Sequence, residues 1–133
     1  MSGSRCLART ATLFTAMSLA PLGAFAADVG AEIANAEMHA GLAAQGSDVA
    51  TVHMHLHHTL NCLVGPNGSG FDAKELNPCQ GDGDGAIPDE TDAAKKKALE
   101  DVAAKAISGI AASDLTTAQH TAGDVASALK SIK

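Results

Sequence analysis

Apolar residues recur at helical spacing in four stretches of the chain, separated by two short polar breaks and one long one. In the first stretch, from about Asp28 to Ala44, the residues Val29, Ile33, Ala36, Ala40 and Ala43 share a face. Gln45-Gly46-Ser47-Asp48 interrupts it, and Ser47 or Asp48 is suited to cap the next helix. That second helix runs from about Val49 to Val64, with Val49, Val52, Leu56, Leu60 and Leu63 as its stripe, and Gly65-Pro66 stops it. A third, from near Asp89 to about Ala111, turns Leu99, Val102, Ala106 and Ile110 inward. Ser113 or Asp114 caps a fourth, striped by Leu115, Ala118, Ala122, Val125, Leu129 and Ile132.

Residues 65–88, "GPNGSGFDAKELNPCQGDGDGAIP", carry no such period. Their Gly, Pro, Asn and Asp content predicts a long loop, pinned by Phe71 and Leu76. A short internal likeness frames that loop. "GLAAQGSDVATV" from Gly41 matches "GIAASDLTTA" from Gly109 once Gln45 and Gly46 are removed. Each half then reads as helix, tight turn, helix. The expected fold is all-α: an antiparallel four-helix bundle of two helical hairpins, 28–64 and 89–132, joined by the Gly/Asp-rich loop.

The first 26 residues have a different pattern. Arg5 and Arg9 precede an apolar run that ends in Ala24-Phe25-Ala26, the order of a cleaved secretory signal of bacterial style. Cleavage after Ala26 removes Cys6 and both arginines, and leaves a single domain, 27–133, bound for the periplasm. The apolar run is too short and interrupted for a membrane span. Seven lysines then face fifteen acids, a net charge of −8 with neutral histidines. That balance argues against nucleic acid and anionic membranes, and suits a protein that draws in cations. Cys62 and Cys79 remain, and an oxidising compartment favours a disulfide between them. The alternative is Cys62 as a thiolate metal ligand.

The chemistry concentrates in "VHMHLHHTLNC", Val52 to Cys62, which holds His53, His55, His57 and His58. Each helical residue turns about 100°, which sets His53 and His57 about 60° and about 100° from the centre of the apolar stripe. Four residues apart on one flank, their rings can converge on an ion, and His39 lies at the matching level of the first helix. Glu37 is a possible carboxylate ligand. His55 and His58 lie on the far side, three apart, as a second and more exposed pair. Neutral imidazole binds Cu(II), Ni(II) and Zn(II), and the thioethers of Met38 and Met54 would tilt preference toward Cu(I). Packing alone does not demand the histidines, because Gln119 and Gly123 stand at the positions matching His53 and His57. His120, with no histidine one turn away, is an ordinary surface residue.

The segment "AEMHAGLAAQGSDVATVHMHLHHTLNC" resembles the small metal-binding proteins of the bacterial periplasm. Those are secreted, alanine-rich helical bundles that bind copper, nickel or cobalt through histidines spaced along helical hairpins. The resemblance covers residues 34–61 and implies ligand roles for His39, His53, His57 and His58. The chain departs from that style in its cysteine pair, its long loop and its concentration of histidines in one hairpin.

Other chemistries weigh less. "QGDGDGAIPDET", Gln80 to Thr91, imitates a calcium loop, with Asp82 and Asp84 at positions three and five, Gly85 at the turn and Ile87 at the apolar position. Gln80 and Thr91 replace its first and last carboxylates, so affinity should be weak. Haem in a b-type, cytochrome-like bundle is the alternative ligand, although alanine stripes leave little room for it. A non-metal interaction or stress protein is the third class. No nucleophile–base pair stands out, so catalysis is not expected. The expected function is transition-metal binding (copper, nickel or zinc) as a buffer, chaperone or sequestering protein. The exposed His/Met face favours a homodimer.

Overall fold

Every long helix begins at an aspartate whose carboxylate accepts the backbone N–H three residues on: Asp28 from Ala31, Asp48 from Thr51, Asp92 from Lys95 and Asp114 from Thr117. Each bond satisfies a donor that the helix leaves orphaned, and places negative charge at the positive end of the helix dipole. The computed structural model describes residues 26–133. The expected signal segment, with Arg5, Arg9 and Cys6, lies outside the described residues apart from Ala26. The elements are α1 (Val29–Ala44), α2 (Val49–Val64), the single turn α3 (Ala86–Asp89), α4 (Ala93–Ile110) and α5 (Leu115–Ile132). Among the described residues all elements are helical, and none is long and apolar enough to cross a membrane.

The third long helix starts later than its periodicity predicts. Asp89 ends the turn α3, and its carboxylate is engaged by the Asp84 N–H at 2.6 Å. Asp92, whose carboxylate is free to cap, opens α4 instead.

α1 packs on α2 and α5, and α4 packs on α5 and α2, so the four long helices surround one core. Leu56, Leu60 and Leu63 of α2, Leu99 of α4 and Leu129 of α5 are its large members. Burying each contributes roughly 1.5–3 kcal/mol. Ala36, Ala40 and Ala43 of α1 and Ala118 and Ala122 of α5 are fully buried and keep the helices close.

The loop after α2 folds back over that helix. Cys62 and Cys79 form a disulfide, with Cα atoms 5.2 Å apart. Beside it, the fully buried Asn61 acts as a clamp. Its Nδ2 donates to the carbonyls of Asp72 (3.0 Å) and Leu76 (3.1 Å), and its Oδ1 accepts the Asp72 N–H at 2.9 Å. Leu76, expected as an apolar pin, is 60% exposed, and Phe71 is half-buried. The loop is held by hydrogen bonds and a covalent bridge more than by apolar anchors.

Candidate metal centre

Three imidazoles meet where α1 faces α2. His39 of α1 and His58 of α2 are buried, and His55 of α2 is half-buried between them and solvent. Their ring centroids lie 5.1–5.5 Å apart. Nδ1 of His39 stands 3.2 Å from Nδ1 of His55. One ligand nitrogen from each ring falls within 4.8 Å of the others, close enough for the three to hold one metal ion.

The surroundings of His58 define its tautomer. Its Nε2 faces the Glu75 carboxylate at 3.5 Å, which favours a proton on that nitrogen. Nδ1 is left buried with no hydrogen-bond partner. Glu75 is carried by the loop that Asn61 and the disulfide hold down. Burial first, and then the neighbouring rings, lower the pKa of His39 and His58 below the usual histidine value. Glu75 opposes this shift at His58. Both rings are therefore biased toward the neutral form that can bind a metal.

The remaining candidates go elsewhere. Nε2 of His53 donates to the Ala112 carbonyl at 2.9 Å, tying α2 to the α4–α5 turn. Nδ1 of His57 lies 3.8 Å from Asp72 Oδ2. Neither joins His39, so the trio combines the first helix's expected ligand with the pair placed on the far side of α2. That far side is not open: His58, Thr59 and Cys62 are all buried there. Glu37 pairs with Lys133, away from the trio. His120 is exposed and faces Asp124 at 3.9 Å. One sequence signal pointed to the covered face. His55, His58 and Cys62 are spaced three and four apart, on one side of α2, and Cys62 was already expected to tether the loop.

A groove of about 500 Å³ is bordered by Val64, Ile87, Pro88 and Lys96 and has no histidine or methionine in its lining. It offers haem iron no axial ligand of either kind. Comparison with protein-family models, curated proteins and solved structures gives no match. The functional reading therefore rests on the geometry of the site.

Proposed function

We propose that the protein binds a transition-metal ion through His39, His55 and His58, in an antiparallel four-helix bundle that works in the periplasm as a metal buffer, chaperone or sequestering protein. The observation that carries this reading is the approach of one nitrogen from each of the three rings to within 4.8 Å, at a site where Nδ1 of His58 is buried and unpartnered. Without an ion, His58 Nδ1 is a desolvated acceptor with nothing to accept, which costs about 1–3 kcal/mol. A tetrahedral ion with bonds of 2.0–2.1 Å needs ligand nitrogens about 3.3 Å apart, close to the His39–His55 spacing. The Nδ1 atoms of His39 and His55 and the free nitrogen of His58 would serve as ligands, and Glu75 would orient His58 from its Nε2.

An all-imidazole set suits Zn(II), Cu(II) and Ni(II). It leaves one tetrahedral position for water or a receiving protein's ligand, on the side of half-buried His55. An open position of that kind suits a protein that hands its ion on. The resemblance of residues 34–61 to small periplasmic metal-binding proteins points to the same class of ligand, with His55 taking the place it implied for His53 and His57.

The test is calorimetric titration of the disulfide-bonded protein with Zn²⁺, Cu²⁺ and Ni²⁺. At least one ion is expected to bind at sub-micromolar Kd. His55→Ala/His58→Ala should abolish this, and His53→Ala/His57→Ala should leave it within a few-fold. The reverse pattern, or no binding, would remove the trio from the function.

A further inference from the structure

A second cluster of ionisable groups lies away from the histidines, where α1 meets the Gly/Asp loop. Glu32 of α1 is fully buried. Its Oε1 accepts the Gly85 N–H at 2.8 Å, and its Oε2 is buried without a hydrogen-bond partner. Its charged neighbours are all acidic: Asp89, Asp82 and Asp84. No lysine or histidine pairs with it among the described residues.

The loop is drawn in close around this carboxylate. A Cβ on Gly83 would collide with Asp89 Oδ2 and stand 2.8 Å from Glu32 Oε1, so both carboxylates converge over a residue that has no side chain. Asp82 is fixed by Asn35, which donates to its Oδ2 at 3.0 Å, and by its own carbonyl, which accepts the Asp28 N–H at 2.8 Å. Gly85 turns the chain at φ +115°, and Ile87 packs against the core.

We propose that Glu32, together with Asp82, Asp84 and Asp89, forms a site for a hard divalent cation of the calcium class. Taken alone, the loop lacks the strong carboxylates at its first and last positions, where Gln80 and Thr91 stand. Glu32 supplies a carboxylate from a different helix. Its free Oε2 is the reason to expect an ion and not just an acidic turn, because a buried carboxyl oxygen with no partner is left unsatisfied, and its ionised form meets only acidic neighbours. Oxygen-only donors select Ca²⁺ over the transition ions that imidazoles prefer. Ca²⁺ ligands bind at 2.3–2.6 Å, so opposing oxygens about 5 Å apart can share one ion. The two sites therefore differ in metal as well as in place.

The experiment is thermal unfolding of the chelator-treated, disulfide-bonded full chain with and without 10 mM CaCl₂, about tenfold above the weak end of extracellular calcium modules. The expected result is a rise in Tm of about 5 °C or more for the wild type. Glu32→Gln, which can still accept from Gly85, should lose that rise, as should Asp84→Asn. Zn²⁺, Cu²⁺ or Ni²⁺ titration of Asp84→Asn should match the wild type, which separates this site from the histidines. No Ca²⁺ response in the wild type, or an undiminished one in Asp84→Asn, overturns the proposal. If Glu32→Gln does not fold, as judged by far-ultraviolet circular dichroism, Asp84→Asn decides.

Discussion

At the scale of the residue, two kinds of buried titratable group pull stability in opposite directions with pH. Burial, opposed by the Gly85 N–H and reinforced by Asp89, Asp82 and Asp84, raises Glu32 from 4.5 to about 7. The folded chain therefore holds a proton that the unfolded chain has lost. The resulting stabilisation is complete below pH 4.5 and disappears as the pH rises through about 7. For metal-free protein, urea unfolding should show the wild type losing stability relative to Glu32→Gln across that interval, by about 3 kcal/mol. A difference that does not change with pH would mean that Glu32 titrates normally. His39 and His58 act the other way. Their contribution is present above 6.5 and lost as the pH falls through their lowered values. Acid should thus protonate the imidazoles and remove their share of the apo-fold's stability while it restores that of Glu32, so metal release coincides with loss of the histidines' contribution and not with a general loosening of the fold.

At the scale of the element, α2 explains what could and could not be read from the chain. Most helix limits were legible because they follow from local rules: Asp48 and Asp114, each one of two expected caps, open α2 and α5, and Gly65 closes α2, whereas the start of α4 moved from Asp89 to Asp92 because a loop contact engages Asp89. The disulfide was legible from the cysteine pair that an expected secretory signal would leave in an oxidising compartment. The ligand-bearing face was not. The stripe of Val52, Leu56, Leu60 and Leu63 marks only the apolar face of α2, whereas the side bearing His55, Thr59 and Cys62 is buried under α1 and the loop with hardly any large apolar residue. The Thr59 hydroxyl lies 3.3 Å from the Ala36 carbonyl of α1 and 3.0 Å from the His55 carbonyl of its own helix, and Asn61 clamps the loop. Amphipathicity measures apolar burial and does not detect burial bought with hydrogen bonds. Asn61→Ala tests that account. It strands the Asp72 N–H and two loop carbonyls, and should cost about 1–3 kcal/mol in urea unfolding. The Asp72 amide should lose hydrogen-exchange protection at the same time. Unchanged protection would show that the disulfide alone holds the loop.

At the scale of the whole molecule, the core is made of a few leucines and valines and many alanines, and the chain has no tryptophan or tyrosine. So modest a core leaves a large share of stability to cross-links and bound ions. Cys62→Ser/Cys79→Ser should cost about 3 kcal/mol, on the entropy of closing a loop of this size. That corresponds to a fall in Tm of about 10–20 °C for a domain of this length, measurable by calorimetry. A fall of only a degree or two would mean that the unfolded chain already keeps the two ends of the loop together.

The Asn61 clamp has one more consequence. The three histidines, Glu75, the clamp and both cysteines all lie between residues 39 and 79, and α4 and α5 contribute none of them. The longest separation inside the site, His39 to Cys79, lies within the first half of the domain, so none of the closures that build the site has to wait for α4 or α5. The site's parts can therefore gather while the C-terminal half of the chain is still unfolded. Substitutions in α4 and α5 then act on how firmly the site is held, and leave its composition unchanged.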